Sequence, residues 1–132
     1  MLSLFPQILF LAPLGLTLLR VAAGLTFLWF AYMHWTHGQE LARVRFVIVG
    51  SGFWIVAVAM IFETMTGIAL IIGLYTQLAA LVGAVAALKC LIWHKRYPQF
   101  FLLSGAASAF LLVICLCLFV SGAGAYALDL PL

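Results

Sequence analysis

The segment MIFETMTGIALIIGLYTQLAAL, residues 60–81, carries one acidic side chain, Glu63, in a run of Met, Ile, Phe and Leu. A carboxylate in such surroundings is the residue type that can accept a hydrogen bond, hold a proton or pair with a cation. Two threonines, Thr64 and Thr66, add hydroxyls beside it. Arg20, in LLRVAAGLTF, is the matching oddity of opposite sign. Three histidines form a second polar set: His34 and His37 three residues apart, and His94 further on. Converging imidazoles suit a metal. No Cys or carboxylate stands at ligand spacing from them apart from Glu40, so they read as interfacial histidines and no metal site is expected.

The elements that must position these groups follow from composition. Hydrophobic residues make up 68% of the 132-residue chain and charged ones 7%, against roughly 25% charged in a soluble domain. Too few polar groups are present to cover a surface in water, so the lipid bilayer is the expected solvent. The length allows one domain and leaves no room for a soluble catalytic module. The net charge of +3 comes from six Lys and Arg near segment ends, a pattern of membrane topology rather than of a nucleic-acid surface. The N-terminal MLSLFPQILFLAPLG has no basic residue before Arg20 and is read as retained rather than as a signal peptide. Cys90, Cys115 and Cys117 fall in apolar stretches and read as core residues; two residues apart on a helix, Cys115 and Cys117 point about 200° apart.

A helix needs about 20 apolar residues to cross the hydrocarbon core. Four segments qualify, at about 13–35, 46–73, 76–93 and 100–121, with a tail at 122–132. The loops between them are short, so neighbouring helices must be antiparallel. The expected fold is all-α: an integral membrane antiparallel four-helix bundle. Small residues mark where helices meet, because lipid gives helices no hydrophobic reason to associate. Ala79, Gly83 and Ala87 make one such stripe; Ser104 and Ser108 make another. The stripe predicts close packing of the third and fourth spans at Gly83. Arg43, Arg45, Lys95 and Arg96 lie in the first and third loops, which places those loops in the cytoplasm and both termini outside.

Depth makes a pairing testable. Arg20 lies roughly 10 Å beyond Pro13, and Glu63 roughly 15 Å before Gly73, at 1.5 Å per residue. The start of the first span and the end of the second share one side of the membrane, so an Arg20–Glu63 pair is expected, either as a structural bolt or as the lining of a small polar pocket with Thr64 and Thr66. The tail GAGAYALDLPL is expected to be ordered, with Gly122 and Gly124 turning the chain, Tyr126 at the interface and Asp129 binding a backbone N–H.

The ordered set Arg20, Glu63, Gly67, Gly73, Thr76, Gly124, Tyr126 and Asp129, carried by LLRVAAGLTFLWFAYMHW, ETMTGIALIIGLYTQLAAL and GAGAYALD, resembles the DoxX family of small four-helix membrane proteins. The chain departs from that pattern at Gln77, Ala125, Ala127 and His34 or Trp35, where the family usually has basic residues or, at one position, Ser. The resemblance implies a bacterial or archaeal cytoplasmic membrane and a small subunit of a larger, redox-linked membrane complex. Quinone or a bound lipid is the ligand it suggests, with Arg20, Glu63, Thr64 and Thr66 near the head of a quinone. The competing reading is a non-catalytic assembly or stabilising factor that docks on a membrane complex through its small-residue stripes and tail. No CxxC, GxSxG, Gly-rich phosphate loop or HExxH is present, so any enzyme activity is expected only as part of a complex. Four short spans without broken helices argue against a transporter.

Overall fold

The computed structural model describes residues 11–43, 52–98 and 103–122, together with 124, 127 and 128 of the tail. Among them the regular secondary structure is all helical, with no strand. Helix α1 spans Ala12–Thr36, α2 is the single turn Gly38–Leu41, α3 spans Phe53–Ile72, α4 Thr76–Trp93 and α5 Gly105–Ser121.

Local chemistry sets several of the ends. Pro13 sits in the first turn of α1, where its missing N–H leaves no bond unmade. Helix α3 stops at Gly73, whose left-handed φ of 74° lets the next N–H, that of Leu74, return to Ala69 O at 3.0 Å. Tyr75 follows at φ 48°, so the turn from α3 into α4 is tight. Helix α5 begins at Gly105 because Ser104 is its cap, accepting from the Ala107 N–H at 3.3 Å. Phe46 and Phe100, the expected starts of the second and fourth spans, lie outside the described residues.

Helices α1, α3 and α4 are long and apolar enough to cross a membrane; α5 is apolar and 17 residues long. Their outward faces carry large apolar side chains, with Trp35 73%, Phe110 72% and Val120 81% exposed. Lipid is the solvent that such faces match. The inward faces repeat at helical spacing: Arg20, Ala23, Gly24, Phe27, Phe30, Ala31 and His34 on α1, and Ser108, Leu111, Cys115 and Leu118 on α5.

The most extensive packing joins α1 to α3 and α4 to α5, and contacts between α3 and α4 and between α1 and α5 connect the two pairs. In the first pair the backbones nearly touch. A Cβ added at Gly24 would stand 2.8 Å from Gly67 O, and one at Gly67 would stand 2.9 Å from Gly24 O. On α4, Ala79, Ala80, Gly83, Ala84 and Ala87 are all buried. A Cβ at Gly83 would meet the Phe27 ring at 3.0 Å and Cys115 Sγ at 3.1 Å, so α1 and α5 both press on this point. Gly83→Leu should therefore force the helices apart and lower thermal stability in detergent by about 1–3 kcal/mol. An unchanged melting temperature would show that the site yields without cost.

Candidate functional site

Helix α1 turns His34 inward near its C-terminal end, one step beyond Phe27, Phe30 and Ala31 on the same face. Across from it, α3 presents Glu63. His34 Nδ1 lies 2.6 Å from Glu63 Oε2, and the side chains are 4% and 17% exposed. A contact this short is a strong hydrogen bond, with its proton between nitrogen and oxygen. It is the one ion pair among the described residues.

The expected Arg20–Glu63 pair does not form. Arg20 is buried, at 1% exposure, but at the other end of the helix pair. Its Nη1 would lie 2.7 Å from a Cβ added at Gly73, ten residues and so about 15 Å along α3 from Glu63. Helix register separates the two residues, and the lean of helical side chains widens the gap. Every Cα–Cβ bond tilts toward its own helix N-terminus, and α1 and α3 are antiparallel. Arg20 therefore reaches toward the start of α1 and the end of α3, while Glu63 reaches toward the start of α3 and the end of α1. The Gly24–Gly67 contact sets the register of the pair. Arg20 and Glu63 each lie four residues, about 6 Å, to opposite sides of it, and His34 stands where Glu63 arrives.

The couple lies in the wall of a cavity of about 480 Å³. Helix α1 contributes Phe27, Phe30 and His34 to the lining, and α3 contributes Trp54, Val58, Phe62, Glu63 and Thr66. The facing wall has Val82, Val85, Ala86, Lys89, Cys90 and Trp93 of α4, then Leu103, Ser108 and Leu111. Phe27 and Phe30 meet edge to face, with centroids 6.1 Å apart and planes at 87°. The lining is overwhelmingly apolar, with polar groups at few points. It suits a hydrophobic molecule with a small polar head.

Of the four residues expected to share a polar pocket, Glu63 and Thr66 line the cavity; Arg20 and Thr64 do not. Thr64 donates its hydroxyl to Met60 O in its own helix at 2.7 Å. The histidines have separate surroundings. His37 Nδ1 lies 3.0 Å from Thr36 Oγ1, and His94 Nδ1 lies 2.9 Å from Leu91 O with its ring against Gly105. Among the described residues no three His, Cys, Asp or Glu side chains form a metal-binding group. Lys89, Cys90 and Ser108 were not expected in a pocket. Their signal was available in the sequence: a polar atom on the inward face of an otherwise apolar helix.

The described part of the tail folds back against the start of α1 and the end of α3. A Cβ at Gly124, where φ is 71°, would stand 2.9 Å from Leu16 Cβ and 3.0 Å from Pro13 O. Ala127 Cβ would lie 2.8 Å from one at Gly73. Tyr126 and Asp129 lie outside the described residues.

The family model that matches the chain is DoxX, over residues 15–96. The match takes in α1, α3 and α4 with both members of the His34–Glu63 couple, and ends before α5. No curated protein and no solved structure matches the chain.

Proposed function

The chain belongs to the DoxX family of membrane proteins, and from that premise we propose that it is a small accessory subunit of a larger redox-linked membrane assembly, in which its cavity holds a quinone-class molecule. The observation that carries this reading is the buried His34–Glu63 couple in the wall of a 480 Å³ apolar cavity. A quinone needs an apolar slot for its ring and chain and one or two hydrogen-bonding groups at its oxygens. Phe27, Phe30, Trp54, Phe62 and Trp93 offer flat apolar surface, and Glu63, Thr66 and Ser108 offer the polar contacts.

In this reading α1, α3, α4 and α5 stand as an antiparallel four-helix bundle in the cytoplasmic membrane. Arg43, Lys95 and Arg96 lie at the end where α1 and α4 finish, which puts that end in the cytoplasm and the termini outside. In this reading turnover belongs to the assembly and not to this subunit alone.

Gentle detergent purification from the native membrane tests the proposal. The expected result is a stoichiometric complex with a redox protein, together with a solvent-extractable quinone that is lost in a Glu63→Leu variant. A complex that keeps full activity without this chain, and carries no quinone, would overturn the reading in favour of an assembly factor.

A further inference from the structure

We propose that the cavity selects its occupant by a hydrogen-bond donor: it takes a membrane-dissolved molecule whose head carries a hydroxyl, in preference to the same molecule with acceptor oxygens only. The inference rests on the reading of the cavity as a quinone-class site and narrows it to the reduced, dihydroxy form.

The argument starts from the shared proton. Glu63 Oε2 is 2.6 Å from His34 Nδ1, so the proton of the couple lies between these two atoms. When it sits on nitrogen, Glu63 is a carboxylate. When it sits on Oε2, Glu63 is a neutral acid whose other oxygen is a carbonyl. In both states Oε1 accepts hydrogen bonds and donates none. Of the pair, Glu63 is the more exposed, 17% against 4%, and it lines the cavity. Among the described residues the Glu63 carboxyl makes no hydrogen bond besides the one to His34. A head that donates completes this acceptor, while a head that only accepts sets two lone pairs against each other and leaves both groups desolvated.

The other polar groups of the lining do not reverse this preference, and the second ring nitrogen of His34, Nε2, is fully buried rather than open to the cavity. The hydroxyls of Thr66 and Ser108 both donate and accept, so each serves either form of a ligand. The Cys90 thiol is a weak donor and weak acceptor. Lys89 donates only, but its side chain is exposed. A long lysine stem carries the ammonium toward water and headgroups, where a single hydrogen bond counts for little.

A hydroquinone and its quinone differ in little but donors against acceptors, which makes them the probe pair. The full chain in lipid nanodiscs, under anaerobic conditions, is titrated with a decyl-benzohydroquinone and with the matching decyl-benzoquinone. The hydroquinone should bind about tenfold more tightly, the usual worth of a hydrogen bond to a charged acceptor. The dimethyl ether of the hydroquinone, which has the same ring but no donor, should bind as weakly as the quinone. In Glu63→Gln the amide can donate as well as accept, and the ratio should fall to about twofold. Equal binding of the two forms, or tighter binding of the quinone, overturns the inference and leaves the quinone-class reading standing. Binding of neither form overturns both. The wild-type titrations decide this even if the variant fails to fold.

Discussion

Glu63→Leu and His34→Phe should each destabilise the protein more than the double variant that carries both. Each single change removes one half of the couple and leaves the other half's polar atom in an apolar wall: His34 is 4% exposed and Glu63 17%. Breaking a buried pair from one side costs about 3–5 kcal/mol in water-soluble proteins, while apolar replacement of both partners is often neutral. In membranes the measured coupling of interhelical hydrogen bonds is smaller, about 0.6 kcal/mol on average and about 1.7 at most, because the unfolded helices also find partners. The short contact and the depth of this couple place it near the upper figure, so a double-mutant cycle on thermal unfolding in detergent should give about 1.5 kcal/mol. Glu63→Gln, which keeps the shape and one hydrogen bond, should be the mildest of the series. Additive losses would show that the two side chains do not act as one unit. Arg20→Met should behave independently of both, since Arg20 lies at the other end of α1 and α3.

A larger loss is expected from Gly67→Leu or Gly24→Leu. At each position the atom met by a new Cβ includes a backbone carbonyl: Gly67 O at 2.8 Å from position 24, and Gly24 O at 2.9 Å from position 67. A flexible side chain swings away from a clash; a helix backbone does not. The two helices must separate, which forfeits the most extensive helix contact in the structure and pulls His34 away from Glu63. Overpacking alone costs about 1–3 kcal/mol, and loss of the couple adds to it. Gly15→Leu is the control, because nothing lies within 4 Å of a Cβ there. The expected result is a sharp drop in melting temperature and in ligand affinity for positions 24 and 67, with position 15 unchanged. Equal melting temperatures for Gly67→Leu and the parent protein would mean that α1 and α3 do not cross at this point.

Composition and segment length determine by themselves that this is an all-α membrane chain. Residues as apolar as those of α1, α3 and α4 have no other solvent, and a backbone in lipid must bond within its own helix. Glycine and alanine spacing likewise marks the faces where helices meet, because only a missing or minimal side chain lets backbones approach in lipid. Glu63 stands out for a similar reason: an ionisable group costs too much in hydrocarbon to be there without a partner.

Which partner it has was decided only by the tertiary structure. Rise per residue measures distance along one helix, whereas the register between two helices is set where they pack. The Gly24–Gly67 contact places Arg20 and Glu63 on opposite sides of the crossing, and the lean toward each helix N-terminus widens that gap and delivers Glu63 to His34. The cavity is likewise tertiary. Phe62, Lys89, Cys90 and Ser108 belong to three helices, and their shared space depends on how far α3 stands from α4. Spacing along one helix sets which residues share a face, but the separation of two helices is set by the side chains of both together.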